Sequence, residues 1–378
     1  MSSLCLRCPY FFKQGDAEHG RFVINRRWLN TEKNESLFGD NSTDVALRKF
    51  KMSSTTMKPT IVIALGGNAL LRRGQVLSYE NQLENVKVAA ESIAKLSEDY
   101  RIAIVHGNGP QVGLLSQQND AFDAVPSYPL SCLVAESQGM IATMLAQELR
   151  NRVDCNVSTI LTHVDVDKAD PAFNDPMKFI GQVYSEAEAK ALAEEFGWSI
   201  RQDGDYFRRV VASPAPKNIR ESELISLALQ HDNIVICCGG GGIPVCTNEN
   251  GITSNIDCVI DKDSTASLLS QQISADYFLI LTDGDGVFFH YGKPNQVKLD
   301  IATTEELKGY AFDKGSMQPK IDAMINYVEN VDMSIGIITD LHLTLEALNG
   351  TAGTKIVKEK FYDDSISHQQ NDGELTLA

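Results

Sequence analysis

Six short apolar runs recur along the chain, at residues 61–65, 102–105, 157–161, 234–237, 277–281 and 335–338. They show little alternation with polar residues, the pattern of strands buried on both faces in a parallel sheet. Between them the apolar spacing changes to three and four. Leu83, Val86, Ala90 and Ile93 form one such set, Met140, Ile141, Met144 and Leu145 a second, and Ile321, Met324, Ile325 and Val328 a third. Each predicts a helix with one buried face. Strands alternating with helices predict an α/β fold, with three layers (α/β/α) around an open, mainly parallel sheet. Residues 167–216 break the rhythm. They carry Pro171, Pro176, Pro214 and Pro216 around a short helical run near Glu186–Phe196. This predicts a small protruding subdomain inserted over the C-terminal edge of the sheet, where open α/β sheets bind ligands.

The two ends lack such periodicity. Residues 1–58 mix Asn, Ser, Thr and charges and read as a disordered extension of the main domain at 59–358; residues 359–378 read as a loose tail. The extension holds 10 Lys+Arg and 6 Asp+Glu, a balance of +4, whereas the remainder holds 24 and 44, a balance of −20. That asymmetry marks the extension as foreign to the main domain. Three readings of it stay open: a plain extension, an organelle transit sequence carrying Arg7, Lys13, Arg21, Arg26 and Arg27, or a stretch upstream of a start at Met52 or Met57. The first and third leave the protein in the cytoplasm, the second in an organellar matrix.

A net charge of −16 argues against a nucleic-acid partner, and no apolar run approaches the roughly 18–20 residues that span a membrane. Cys5, Cys8, Cys132, Cys155, Cys237, Cys238, Cys246 and Cys258 are scattered, several in apolar segments, which suits free thiols in a reducing compartment. The C-x-x-C spacing at Cys5 and Cys8 has no second pair at metal-ligand distance and is weak support for zinc.

Candidate chemistry lies in three glycine-rich turns, each directly after an apolar run: Gly66-Gly67-Asn68, "HGNGPQVG" at 106–113 and "CGGGGIPV" at 238–245. Parallel topology would bring them to one edge, with free backbone N–H groups facing a common crevice and Pro110 opening a helix. Such a crevice binds phosphate. The chain has no G-x-x-x-x-G-K-[ST], so it is not a P-loop enzyme, and "GNGPQVG" has one residue too many for the dinucleotide fingerprint. Phosphoryl transfer needs positive charge around the moving group. Lys262 stands between Asp261 and Asp263, which would keep its ammonium charged and in place. Lys320 closes "GSMQPK", a shaped loop leading into a helix, and Lys178 lies in the inserted subdomain.

"IALGGNAL", "HGNGPQVG", "SQGM" at 137–140, "CGGGGIPV", "VIDKD", "YGKP" at 291–294 and "GSMQPK", in that order from about Thr60 to Val357, together resemble the carbamate kinases, which have the amino-acid kinase fold. The resemblance implies reversible phosphoryl transfer between ATP and carbamate, run physiologically as ATP synthesis from carbamoyl phosphate and ADP. It implies that Lys262 and Lys320 neutralise the transferring group, that Lys178 binds carbamoyl phosphate, and that Asp261 or Asp263 orients Lys262. Gly66, Gly67, Asn68, Gly107, Asn108, Gly109, Gly240 and Gly241 would contact phosphate or substrate. Asp283, Gly284, Tyr291, Lys293, Pro294 and Met317 would lie near ATP or ADP, Mg²⁺ would ride mainly on the phosphates, and the assembly would be a homodimer. Carbamate is already an anion, so its oxygen needs no general base. No catalytic histidine is therefore expected: His106 reads as structural and His163 as a core or loop residue.

Some positions depart from the pattern of the family. Phe179 follows Lys178 where proline is usual, Ala212 replaces a proline, and Asp313 and Lys314 replace small residues. These changes bear on substrate affinity and on the subdomain more than on nucleotide binding. Two other readings stay open: a kinase of the same fold with a different acceptor, and a weakly catalytic homologue that binds carbamoyl phosphate or nucleotide as a sensor.

Overall fold

The computed structural model describes residues 58–358 apart from 73, 123 and 314. The expectations for residues 1–57 and for 359–378, Cys5 and Cys8 included, lie outside these residues, as does Lys314.

Eight strands form the central sheet: β1 (Thr60–Leu65), β2 (Arg101–His106), β3 (Val157–Thr159), β4 (Ile234–Ile236), β5 (Tyr277–Thr282), β6 (Ile301–Thr303), β7 (Ile335–Asp340) and β8 (Thr354–Val357), in the spatial order β6-β8-β7-β5-β1-β2-β4-β3. The six apolar runs supply the six mutually parallel strands. β8 runs antiparallel to β7 and carries β6 alongside it. These two strands are short and half-polar, and the sequence pattern did not single them out. The run at 157–161 stops pairing at Thr159, and Leu161 is exposed.

Side-chain alternation divides each central strand between two cores. Ile61, Ile63, Leu65, Ile102 and Ile104 meet helices α1 (Tyr79–Ala94) and α3 (Leu130–Arg150) on one face, with α2 (Gly109–Asp120) following β2. Val62, Ala64, Ala103, Val105 and Phe278 meet α4 (Lys262–Gln272) and α5 (Gln318–Asn330) on the other. Each fully buried aliphatic side chain contributes about 1.5–3 kcal/mol, so both faces hold the sheet. Among the described residues no helix is long and apolar enough to cross a membrane.

A second, four-stranded sheet orders Thr253–Asn255, Ile243–Thr247, His163–Val166 and Pro216–Ile219. Its strands His163–Val166 and Pro216–Ile219 pair antiparallel, and the chain between them leaves to form the inserted subdomain. There Lys178–Tyr184, Tyr206–Val211 and Ser199–Asp203 make a three-stranded antiparallel sheet, order as given, with the helix Glu186–Phe196 packed on it. A capping box at Ser185 and Glu188 starts that helix, and left-handed Gly197 ends it. Pro216 belongs to the four-stranded sheet.

Candidate active site

The C-terminal ends of β1, β2, β4, β5 and β7 open onto one cleft of about 890 Å³. Gly66 and Gly67 line it from β1, Gly107, Asn108 and Gly109 from β2, Gly240 from beyond β4, Asp283 from β5, and Asp340 and His342 from β7. Lys178 and Phe179 reach it from the subdomain, and Gly315, Ser316, Pro319 and Lys320 from the loop before α5 and the start of that helix.

The turns do not all present free N–H groups. Gly66 N–H donates to Leu281 O (3.1 Å) and Gly107 N–H to Leu65 O (3.2 Å), so the first glycine of each turn extends the ladder between strands. Any cradle starts one residue later. There Gly67–Ala69, Asn68 included, form one 3₁₀ turn, while Asn108 is the N-cap of α2. The Asn108 side chain does not cap that helix. Its Nδ2 donates instead to Ser137 Oγ (2.9 Å), and Ser137 donates to Val134 O (2.8 Å). With Pro110 in the first turn, the N-terminus of α2 keeps uncapped backbone donors at the cleft, a place suited to anions.

The tetraglycine turn is chiefly a packing hub. A Cβ on Gly239 would fall 2.4 Å from the His106 ring, on Gly240 2.1 Å from Asn108 Nδ2, on Gly241 2.3 Å from Ile260 O and on Gly242 2.3 Å from Val164. Four elements therefore close on one turn that admits no side chain, and Gly240 alone of the four lines the cleft. His106 is buried and its Nδ1–H donates to Gly107 O (3.0 Å); burial lowers its pKa to about 4, so it is neutral at pH 7. His163 stands on a strand rather than in the core or a loop, its Nδ1 2.9 Å from Glu221 Oε1.

Three lysines and two aspartates meet in the cleft. Asp261 is the N-cap of α4: its Oδ1 accepts from the N–H groups of Asp263 (2.9 Å) and Ser264 (3.0 Å), and its Oδ2 pairs with Lys178 Nζ at 2.5 Å. Asp263 lies between Lys262 (2.5 Å) and Lys320 (2.8 Å) and is 5 % exposed. Helix capping thus aims the first turn of α4, with both Lys262 and Asp263, at the cleft. Burial alone would raise both carboxyls; instead the charges of Lys178 and Lys262 hold Asp261 well below the usual range, and those of Lys262 and Lys320 hold Asp263 down. Burial, then repulsion from Lys320, lowers Lys262 against the pull of the aspartates. Burial also presses on Lys178, but Asp261 outweighs it and raises its pKa. Three ammonium groups and two carboxylates leave this cluster one net positive charge, while Arg72, Asp283 and Asp340 elsewhere in the lining bring the cleft as a whole to balance, so the positive charge is local to the lysines.

Lys178, Lys262, Lys320, Asp261 and Asp263 are therefore together. The expected nucleotide residues are less concentrated. Asp283 lines the cleft, whereas Gly284 and Met317 do not, nor does Gly241, expected on the phosphate side. Tyr291, Lys293 and Pro294 are exposed on the connection between Val287–Phe289 and Val297–Leu299, which pair antiparallel. The sequence reading missed Arg72, Asn85, Asp340 and His342 in the lining. It quoted "SQGM" without a role. Ser137 braces Asn108, and Gln138 exchanges two hydrogen bonds with Thr162 (3.1 and 3.2 Å), whose Oγ1 accepts from Cys238 N–H (3.0 Å). The available signal was the polar pair within a helix pattern that is otherwise apolar on that face.

The chain matches the profile of the amino acid kinase family over residues 59–339. It is 48 % identical to a carbamate kinase of Haemophilus influenzae over 303 residues, covering 79 % of this chain and 97 % of that one. With a carbamate kinase of Escherichia coli the identity is 49 % over 300 residues, covering 79 % and 99 %. The structure of a carbamate kinase from Giardia lamblia bound to AMP-PNP superposes with a TM-score of 0.72 at 39 % identity, over 80 % of this chain and 99 % of that one. The chain belongs to the amino acid kinase family, among its carbamate kinases.

Proposed function

We propose that this kinase moves a phosphoryl group between ATP and carbamate, working chiefly to make ATP from carbamoyl phosphate and ADP. The observation that carries this reading is the cluster of Lys178, Lys262 and Lys320 on two aspartates, in a cleft that also holds two glycine turns and an uncapped helix N-terminus. In the forward step a β-phosphate oxygen of ADP attacks phosphorus, the bond to the carbamoyl oxygen breaks, and carbamate leaves as an anion. No proton has to move in this step.

Catalysis then consists of positioning and charge neutralisation. Lys262 and Lys320 flank the transferring group, with Asp263 fixing the spacing of their ammonium groups. Lys178 holds the carbamoyl end, oriented by Asp261. Backbone donors of Gly67, Asn68, Asn108 and Gly109 and the glycine at 240 complete the phosphate side, with Gly241 behind them. Of these, Gly241 acts only through packing. Asp283 and Gly284 begin the nucleotide side, continued by Met317 and by the exposed turn carrying Tyr291, Lys293 and Pro294.

Among the described residues no three His, Cys, Asp or Glu side chains stand together as a metal cage, and Asp261 and Asp263 are already engaged by lysines. These residues do not suit a resident Mg²⁺; the ion would arrive on the nucleotide phosphates. A homodimer and a cytoplasmic location rest on the likeness to carbamate kinases. The deciding experiment measures ATP formation from carbamoyl phosphate, ADP and Mg²⁺ with hexokinase-coupled detection. Turnover is expected. ADP binding without ATP formation would instead favour a different acceptor or a sensor role.

A further inference from the structure

The strand that carries Lys178 is irregular. Its register with Tyr206–Val211 pairs Lys178 with Val211, Phe179 with Val210 and Ile180 with Arg209, and then resumes only at Tyr184 with Phe207. Residues 181–183 therefore oppose a single residue, Arg208. Such a bulge interrupts the ladder, and Gly181 within it is left-handed, with φ +72°. The same glycine is where the subdomain touches the body, its Cα pressed against Gly113 of α2.

Arg208 fills this gap with its side chain. Its Nη2 donates to Gly181 O (2.8 Å), its Nη1 to Asp203 Oδ2 (3.1 Å), and its guanidinium lies over the Phe179 ring, 5.4 Å from the centroid. One planar group thus grips the residue after Lys178 and the bulge three residues on. Its Nε–H is buried with no acceptor among the described residues. A side chain selected only to satisfy its own donors would not be left so. Its positive charge also lies near enough to oppose that of Lys178.

We infer that Arg208 is a positioning residue for Lys178: by clamping the bulge and stacking on Phe179 it sets how far the lysine reaches into the cleft. The inference rests on the proposed role of Lys178 toward carbamoyl phosphate. The fork matters because Nη1 and Nη2 reach Asp203 and Gly181 O separately while the guanidinium lies over the Phe179 ring, a fixed spacing that a single ammonium nitrogen does not reproduce.

The test is a double-mutant cycle on the full chain, read by ATP formation at varied carbamoyl phosphate and at varied ADP. Arg208→Met should raise the KM for carbamoyl phosphate about 10-fold while that for ADP stays within about twofold, the pattern of a misplaced contact rather than a collapsed site. Arg208→Lys should not restore it. In a Lys178→Ala background, Arg208→Met should change the KM by less than about twofold, since two residues that act as one unit are not additive. Effects that multiply, a parallel rise in the KM for ADP, or full rescue by lysine would overturn the inference. If Lys178→Ala alone leaves the KM for carbamoyl phosphate unchanged, the reading of Lys178 fails first, and that result is separate from a silent Arg208→Met.

Discussion

Alanine at position 113 sets two effects against each other. Inside a helix, Gly→Ala is favourable by up to about 1 kcal/mol, so α2 itself should gain. The new methyl carbon, however, would lie 2.0 Å from the Cα and 2.3 Å from the N of Gly181. Both are backbone atoms, and no side chain can swing aside. Reaching an ordinary contact of about 3.4 Å needs a displacement of about 1.4 Å, taken up by lifting the subdomain strand from α2. Lys178 lies three residues upstream on that strand, and its 2.5 Å contact with Asp261 would open beyond hydrogen-bonding range. Misplacing a reacting or binding group by about 1 Å costs on the order of 100-fold. Gly113→Ala should therefore lower kcat/KM for carbamoyl phosphate about 30- to 100-fold, with the KM for ADP held within about twofold. The coupled assay gives both constants, and the thermal midpoint should move by no more than about 3 °C. A variant within about threefold of wild-type efficiency would refute the reasoning, because it would mean that the contact yields without moving Lys178.

On the role proposed for it, Lys262 carries a charge whose value is greatest when negative charge spreads over the phosphoryl oxygens, and Lys262→Ala removes it. Its kcat should fall about 100- to 1,000-fold with a small change in the KM for ADP, and a loss under tenfold in steady-state rates would count against that role. Ser137→Ala leaves the buried Nδ2 of Asn108 without its acceptor and should cost about 1–3 kcal/mol in denaturant unfolding. Burial lowers the His106 pKa from its ordinary 6.5 to about 4, so between those values the unfolded chain binds a proton that the folded one refuses. Stability from this group is complete above pH 6.5 and is lost as pH falls toward 4, roughly 3 kcal/mol in all. Unfolding midpoints from pH 4 to 7 should show a shallower acid limb in His106→Gln.

The parallel strands were legible because burial on both faces writes an uninterrupted apolar run, and β1, β2, β5 and β7 each carry one. β6 and β8 were not, since three- and four-residue strands that mix Thr and Lys with the aliphatics carry too few side chains to show a period. Lys262 could be picked out by its two flanking carboxylates, but which carboxylate serves which lysine is a matter of folding. Asp263 joins Lys262 to a residue 57 positions away, and Asp261 joins α4 to the subdomain 83 positions away. The same limit hid the work of Ser137 and Gln138. Glycine content also misled in part: at 239–242 it answers the crowding of His106, Asn108, Ile260 and Val164 more than any phosphate.

The chain enters and leaves its inserted subdomain at one point, where Val166 and Pro216 are partners on adjacent antiparallel strands. Exit and return are one strand spacing apart, about 5 Å. Residues 167–215 are therefore one contiguous excursion that leaves and rejoins the same sheet edge without threading either large sheet, yet stays tied to the body through Ile180 and Val211, packed with Val112, Leu133 and Val134, and through Lys178 on Asp261. One separable segment of the chain thus brings its own lysine to a cleft whose other two, Lys262 and Lys320, belong to the body.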